Sequence, residues 1–230
     1  MLSPRLQAVL ELISEKDTKP CVLADIGTDH AYLPIEAVRA NLCERAIASD
    51  INSGPLKIAE TNIRAAGLSE RIETRLGDGL KPLNPGEADC IVIAGMGGKR
   101  IIHILESGFE TSIKDSRTCP RHCLPQCVIL QPQHDLEELR RELHAHGFEI
   151  THEKLAREAS RFYVIIHAQK ANNISVWPEK KYFLGEPDKD TELWQAYLRQ
   201  RQDKIKRYIY SISDEADRQK AEQKLQWLSL

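Results

Sequence analysis

Between Cys21 and Ala168, short apolar runs alternate with longer segments whose apolar residues recur every three or four positions. This rhythm restricts the chain to strands joined by crossover helices, an α/β architecture. The runs at 21–26, 45–49, 72–76, 90–94, 127–130, 148–152 and 162–167 are predicted strands. Most are nearly continuous hydrophobic stretches, as expected where helices cover both faces of a parallel sheet. Helical patterns over 55–66 and 136–146 each close on a glycine, Gly67 and Gly147, which suits the left-handed position after a helix. The last two runs are separated by too little chain for a crossover helix, so they should form an antiparallel hairpin at a sheet edge.

Past Ala168 the pattern changes. The stretch 169–190 contains Asn-Asn, Trp-Pro and Gly-Glu-Pro with no sustained apolar period, and is expected to be a linker. From 191 to 230 apolar residues return at helical spacing, interrupted at Ser213-Asp214, which predicts two packed helices or a short coiled coil. The expected organisation is thus a domain over 1–168, a linker over 169–190 and a helical domain over 191–230.

Composition narrows the class. The 230 residues, 41% hydrophobic and 29% charged, suffice for one sizeable core, and a formal net charge of −2 gives no bulk positive excess of the kind that announces nucleic-acid binding. The N-terminal segment mixes charges into an amphipathic pattern and no apolar run is long enough to span a membrane, so a cytoplasmic protein with no membrane partner is expected. Cys21, Cys43 and Cys90 read as small buried hydrophobes, and Cys127 as part of the strand that follows. Cys119, Cys123 and Cys127 around His122 lack the spacing of a zinc knuckle, so no metal is expected.

The chemistry concentrates at the predicted strand ends. Val22-Leu23-Ala24-Asp25-Ile26-Gly27-Thr28-Asp29-His30 places a glycine turn after the first strand, yet lacks the further glycines of a dinucleotide loop and the Lys of a phosphate loop. An acidic loop disfavours phosphate and suits a cationic ligand bearing hydroxyls, such as S-adenosylmethionine. Asp25 is placed to orient an ammonium, Asp50 to accept two ribose hydroxyls, and Asp78, in Leu76-Gly77-Asp78-Gly79, to meet an adenine amine. Ala94-Gly95-Met96-Gly97-Gly98 ends the fourth strand, where glycines leave room for a reacting group.

The strings LADIGTDHAYLPIEAV, ASDINSGPLKIAETNIRAAGL, RLGDGL, IVIAGMGG and VILQP resemble the bacterial tRNA adenine-22 N1-methyltransferases over about the first 170 residues. The resemblance implies a doubly wound, Rossmann-like class I methyltransferase sheet of seven strands, the last antiparallel, with a C-terminal helical domain. It also implies S-adenosylmethionine as cofactor and tRNA as substrate. Cofactor contacts are expected from Arg5, Asp25, Gly27, Thr28, Asp29, His30, Asp50, Ile51, Asp78, Gly79, Ala94, Gly95, Met96, Gly97 and Gly98, with Arg5 facing the methionine carboxylate. Asp29 is the candidate for stabilising charge or accepting a proton, with His30 orienting it.

An aromatic N-methyltransferase motif is missing after the fourth strand, which leaves base recognition there to the backbone of Gly95 and Met96. Arg199, Arg201, Lys204, Lys206 and Arg207 cluster on one predicted helix and are the candidate phosphate contacts. A methyltransferase acting on another RNA or on a small molecule, and a non-catalytic RNA-binding module with a degenerate fold, are the competing readings. A monomer is expected, although the helical tail can also pair with itself.

Overall fold

The computed structural model describes residues 2–14, 21–114, 125–187 and 191–229, with the backbone alone for 108–114. One seven-stranded sheet has the order β3-β2-β1-β4-β5-β7-β6. Its strands are β1 (Val22–Ile26), β2 (Arg45–Asp50), β3 (Ile72–Leu76), β4 (Cys90–Met96), β5 (Cys127–Pro132), β6 (Phe148–Glu158) and β7 (Arg161–Lys170). The pairs from β3 through β5 are parallel, whereas β7 runs antiparallel to both β5 and β6. The seven-stranded class I arrangement with its last strand reversed is therefore present.

Two hydrophobic layers sandwich this sheet. Leu23, Val92 and Ile129 face one layer with α1 (Pro4–Ser14), α2 (Tyr32–Arg39) and α3 (Ser53–Ala65). Ile26, Ile91 and Ile93 face the other, with α4 (Gly98–Lys114) and α5 (Leu136–Ala145). Gly67 and Gly147, just past α3 and α5, take positive φ as their placement predicts. The hairpin extends well beyond 148–152 and 162–167, through Glu153-Lys154-Leu155-Ala156-Arg157-Glu158, where charged and apolar residues come in pairs and show no period of two. Ala156 enters the core, Lys154 pairs with Glu11 of α1 at 3.0 Å, and Ala159 turns the tip with φ 52°.

The stretch expected to be a linker is packed instead. It carries α6 (Glu179–Leu184), and Trp177, Tyr182, Phe183 and Leu184 are buried in the layer that holds Leu139 and Phe148. Its aromatic residues bunch too closely to show a period, which is why composition alone suggests a loop. Residues 188–190 lie outside the described residues. Two helices follow, α7 (Glu192–Ser211), capped by Thr191, and α8 (Glu215–Leu228), whose Asp214 cap accepts from the Asp217 amide at 2.9 Å. Trp194, Tyr197, Leu198 and Leu228 join the same layer, so the C-terminal helices rest on the seven-stranded sheet. Cys43, Cys90 and Cys127 are buried, whereas Cys21 is exposed, one residue before β1, and its thiol donates to Glu44 at 3.2 Å. Cys119, His122 and Cys123 lie outside the described residues.

A buried ion pair ties these pieces together. Arg140 of α5 donates from Nε to Glu153 of β6 at 2.7 Å, with both side chains fully inaccessible, and from Nη1 to the Tyr182 carbonyl at 2.8 Å. The second Glu153 oxygen accepts from the Glu186 amide, and Gly185, at φ 76°, has no room for a side chain between the two charges. Removing one member strands the other in low dielectric, at a cost of about 3–5 kcal/mol. Glu153→Leu is therefore expected to lower unfolding stability by about that amount. Urea denaturation checks it, and a loss under about 1 kcal/mol contradicts the assignment.

Candidate active site

The cleft lies at the carboxyl ends of β1, β2 and β4, where the connections leave toward opposite faces of the sheet. Asp25, near the end of β1, is 5% exposed and accepts the Thr28 hydroxyl at 2.7 Å. Burial pushes its carboxyl up to about 6, with the Thr28 bond pulling the other way. Gly27 has φ 76°, and a side chain there would collide with Met96 Cε. The amides of Gly27 and Thr28 both donate to the Ser49 carbonyl, which closes the first loop onto β2. Asp50 accepts the Asn52 amide at 2.8 Å and the Asp29 amide at 3.3 Å, so the ends of β1 and β2 are locked together through one carboxylate.

Asp29 and Ala31 both have positive φ, 54° and 57°. This backbone turns the Asp29 carboxylate outward, 69% exposed and 3.3 Å from His30 Nε2. His30 in turn meets Tyr32 edge to face, with ring centroids 5.5 Å apart.

The cleft has two lobes that share Gly27, Asp29, Ala94 and Gly95. One, about 280 Å³, is lined by Asp50, Ile51, Asn52, Asp78, Gly79, Met96 and Arg100. The other, about 340 Å³, is lined by Arg5, Asp25, Thr28, His30, Tyr32, Gln133, Glu158 and Tyr163. Together they offer the volume of a nucleoside-sized ligand and of a second planar group beside it. The smaller lobe pairs a carboxylate able to accept two hydroxyls with the exposed side chain of Ile51, an apolar face for a base. The Asp78 carboxylate is turned to Lys81 at 2.7 Å, and that hydrogen bond holds its pKa below the usual carboxylate range. The acid stands where the third strand end predicts, but with a lysine partner that the strand pattern does not announce.

The fourth strand ends in a bulge. Pairing with β5 shifts register between Ala94 and Met96, leaving Gly95, at φ 80°, out of the ladder. Two glutamines of the next strand end take up its peptide groups. Buried Gln131 accepts the Gly95 amide at 3.1 Å, and Gln133 donates from Nε2 to the Gly95 carbonyl at 2.8 Å. The Gln133 amide also donates to the Met96 carbonyl at 2.8 Å. The Gly95 amide and the Gly95 and Met96 carbonyls, among the backbone groups expected to recognise a base, thus each have one partner within the protein. Gln131 further accepts Arg5 Nη1 at 2.8 Å, placing that guanidinium in the larger lobe beside Tyr163. Gly97 and Gly98 line neither lobe. A side chain at either would meet His134 or Asp135, so these glycines seat the start of α4 on the β5–α5 turn. Gln131, Gln133, Glu158 and Tyr163 do not stand out in the sequence. Gln131 lies in the VILQP string, the one signal that points to this strand end.

The basic cluster on α7 divides. Arg199, Lys204, Lys206 and Arg207 are exposed, near the exposed rings of Tyr208 and Tyr210. Arg201 does not belong with them. Its guanidinium stacks over the Phe183 ring at 4.0 Å, donates to the Phe183 carbonyl at 3.1 Å, and is held below its usual pKa by burial. It points into the packed layer because it sits on the face of α7 shared with Trp194 and Tyr197.

Comparison with known proteins agrees with this geometry. The family model described as a methyltransferase domain matches residues 2–166. The tRNA (adenine(22)-N1)-methyltransferase of Bacillus subtilis is 39% identical over 168 residues, 73% of this chain and 65% of that protein. In that sequence alignment the chain therefore spans slightly under two thirds of its relative's length. The structure of the Bacillus subtilis m1A22 tRNA methyltransferase aligns over 100% of this chain and 94% of the other, at 32% identity and TM-score 0.75. A Streptococcus pneumoniae protein solved in complex with S-adenosyl-L-methionine covers 100% and 98%, at 29% identity and TM-score 0.84. The chain belongs to the methyltransferase domain family and, within it, to the tRNA (adenine(22)-N1)-methyltransferases.

Proposed function

We propose that this protein transfers a methyl group from S-adenosylmethionine to N1 of adenine 22 in tRNA. The observation that carries the reading is the two-lobed cleft, in which Asp25, Asp29 and Asp50 converge from two neighbouring strand ends. In this reading Asp50 takes the ribose hydroxyls, Ile51 and Met96 bracket the cofactor's adenine, and Asp25 draws in the methionine ammonium through the first loop. Arg5, held by Gln131, keeps further guanidinium donors for the methionine carboxylate. The bound cofactor supplies a methyl group on a cationic sulfur.

The acceptor base then occupies the rest of the larger lobe, among His30, Tyr32 and Tyr163. Holding the N1 lone pair in line with the methyl carbon accounts for much of the rate, since positioning of this kind is worth roughly 7–11 kcal/mol. Alkylation at N1 makes the purine cationic, and Asp29, exposed at the junction of the lobes, stabilises that developing charge with His30 beside it. The exposed cations of α7 supply phosphate contacts for the tRNA body.

Each role has a measurable consequence. Asp29→Ala is expected to lower kcat roughly 100-fold with little change in cofactor affinity by calorimetry. Unchanged turnover in a folded variant removes Asp29 from the chemistry. Because the buried Asp25 carboxyl lies near 6, raised above its unfolded value, its protonated form favours the fold at low pH, and this contribution is lost as pH rises from about 4 to about 6. An ammonium needs the ionised form, so cofactor affinity is expected to weaken as pH falls through about 6, by up to about tenfold per unit. Asp25→Asn should flatten this profile in titrations from pH 5 to 7.5, and an equally steep profile in that variant would assign the dependence elsewhere. Finally, replacing Lys204, Lys206 and Arg207 with Ala should reduce the slope of log affinity against log salt for tRNA by roughly 1 for each phosphate no longer neutralised. An unaltered slope takes α7 out of the interface.

A further inference from the structure

The glutamine that braces the bulge has a second capability. Gln133 is exposed and lines the larger lobe, and its Nε2 donates to the Gly95 carbonyl at 2.8 Å. Because Gly95 offers an acceptor, the amide nitrogen must face it, and this settles which way the carboxamide points. Oε1 is left without a protein partner among the described residues. The backbone of the bulge is already engaged, since the Gly95 amide donates to Gln131 and the Gly95 and Met96 carbonyls each accept from Gln133.

We propose that Gln133 is the residue that reads the acceptor base, its Oε1 accepting a hydrogen bond from the exocyclic N6 amine of adenine. This rests on the reading of the larger lobe as the base site. The chemistry is directional. Methyl transfer moves the N1 lone pair into the new N–C bond as the C–S bond breaks, and the positive charge gained by the ring spreads onto N6. The N6–H groups become stronger donors, so an acceptor fixed beside them binds the transition state better than the ground state. Guanine and hypoxanthine carry an oxygen at that position and would face Oε1 with a second acceptor. The anchor on Gly95 holds the carboxamide in place before the base arrives, so little rotamer freedom is lost on binding.

The test uses the full-length enzyme and two tRNA transcripts, one with adenine at the acceptor position and one with purine, which lacks the N6 amine. Purine is an intrinsically weaker nucleophile, so the informative quantity is the adenine-to-purine ratio of kcat/KM in wild type against Gln133→Ala. Loss of one hydrogen bond to a group that becomes charged predicts that this ratio falls roughly 10- to 100-fold in the variant, through loss on adenine alone. S-adenosylmethionine affinity should stay within about twofold. Equal ratios in the two proteins, or a variant that loses both substrates together with cofactor affinity, would mean that Gln133 only props the Gly95 turn, and would overturn the proposal. Wild-type enzyme inert on the adenine transcript refutes the tRNA reading itself, and base recognition with it.

Discussion

A parallel sheet sealed on both faces has only its ends to offer a polar ligand, and that constraint shapes the whole molecule. Residues alternate along β1 and β4, with Leu23 and Val92 turned to the α1–α3 layer and Ile26, Ile91 and Ile93 to the α4–α5 layer. Polar side chains survive at the carboxyl edge, where Asp25 and Asp50 are kept nearly dry by the same layers. Their burial is not incidental. An exposed carboxylate interacts weakly with a cation in water, whereas a buried one is costly to ionise alone and is relieved by a cationic ligand. The sheet thus creates both the crevice and the electrostatic need that a cofactor meets.

The same edge must also solve a backbone problem. Opening room at the end of β4 requires Gly95 to leave the ladder, and a bulged peptide without partners would carry two unsatisfied groups. Gln131 and Gln133 resolve this from the neighbouring strand, and Gln131 extends the solution to Arg5 at the far end of the chain. The bulge, the N-terminal helix and the larger lobe are therefore one hydrogen-bonded unit. The inward-facing Gln131 is the one polar residue of a strand that is otherwise apolar, the usual mark of a polar group with a fixed duty.

How far the sequence discloses this can be judged from particular residues. The strands with continuous apolar runs were legible, as were Gly67 and Gly147 after their helices and the break at Ser213-Asp214, because each depends on local chemistry. The acids at the ends of β1 and β2 were legible once the strands were placed, since strand ends in such sheets converge. What stayed hidden depends on long-range partners. Glu153 and Lys154 break the apolar run of β6, and only their distant partners Arg140 and Glu11 account for charges at those positions of a strand. Arg201 looked like its exposed neighbours because nothing in its local sequence announces Phe183, 18 residues earlier, beneath its guanidinium. Gln131 and Gln133 gained meaning only from the register shift opposite them.

The net charge of −2 now has a spatial reading. Acids face the cleft, while Arg199, Lys204, Lys206 and Arg207 lie on a helix anchored to the sheet through Trp194 and the Arg201–Phe183 stack. The charges sum to +1 over 171–230 and −3 over 1–170, so neither region carries a large excess of one sign. Asp25, Asp29, Asp50, Asp78 and Glu158 outnumber Arg5 and Arg100 on the cleft lining, which on balance favours a sulfonium over a phosphate backbone. In the proposed reaction a tRNA presents a single base turned out of its stack, with its phosphates left outside the cleft. The base entering such a site is uncharged until the moment of transfer and cationic afterwards. On that reading the acidic balance that disfavours the phosphates also favours the cationic product.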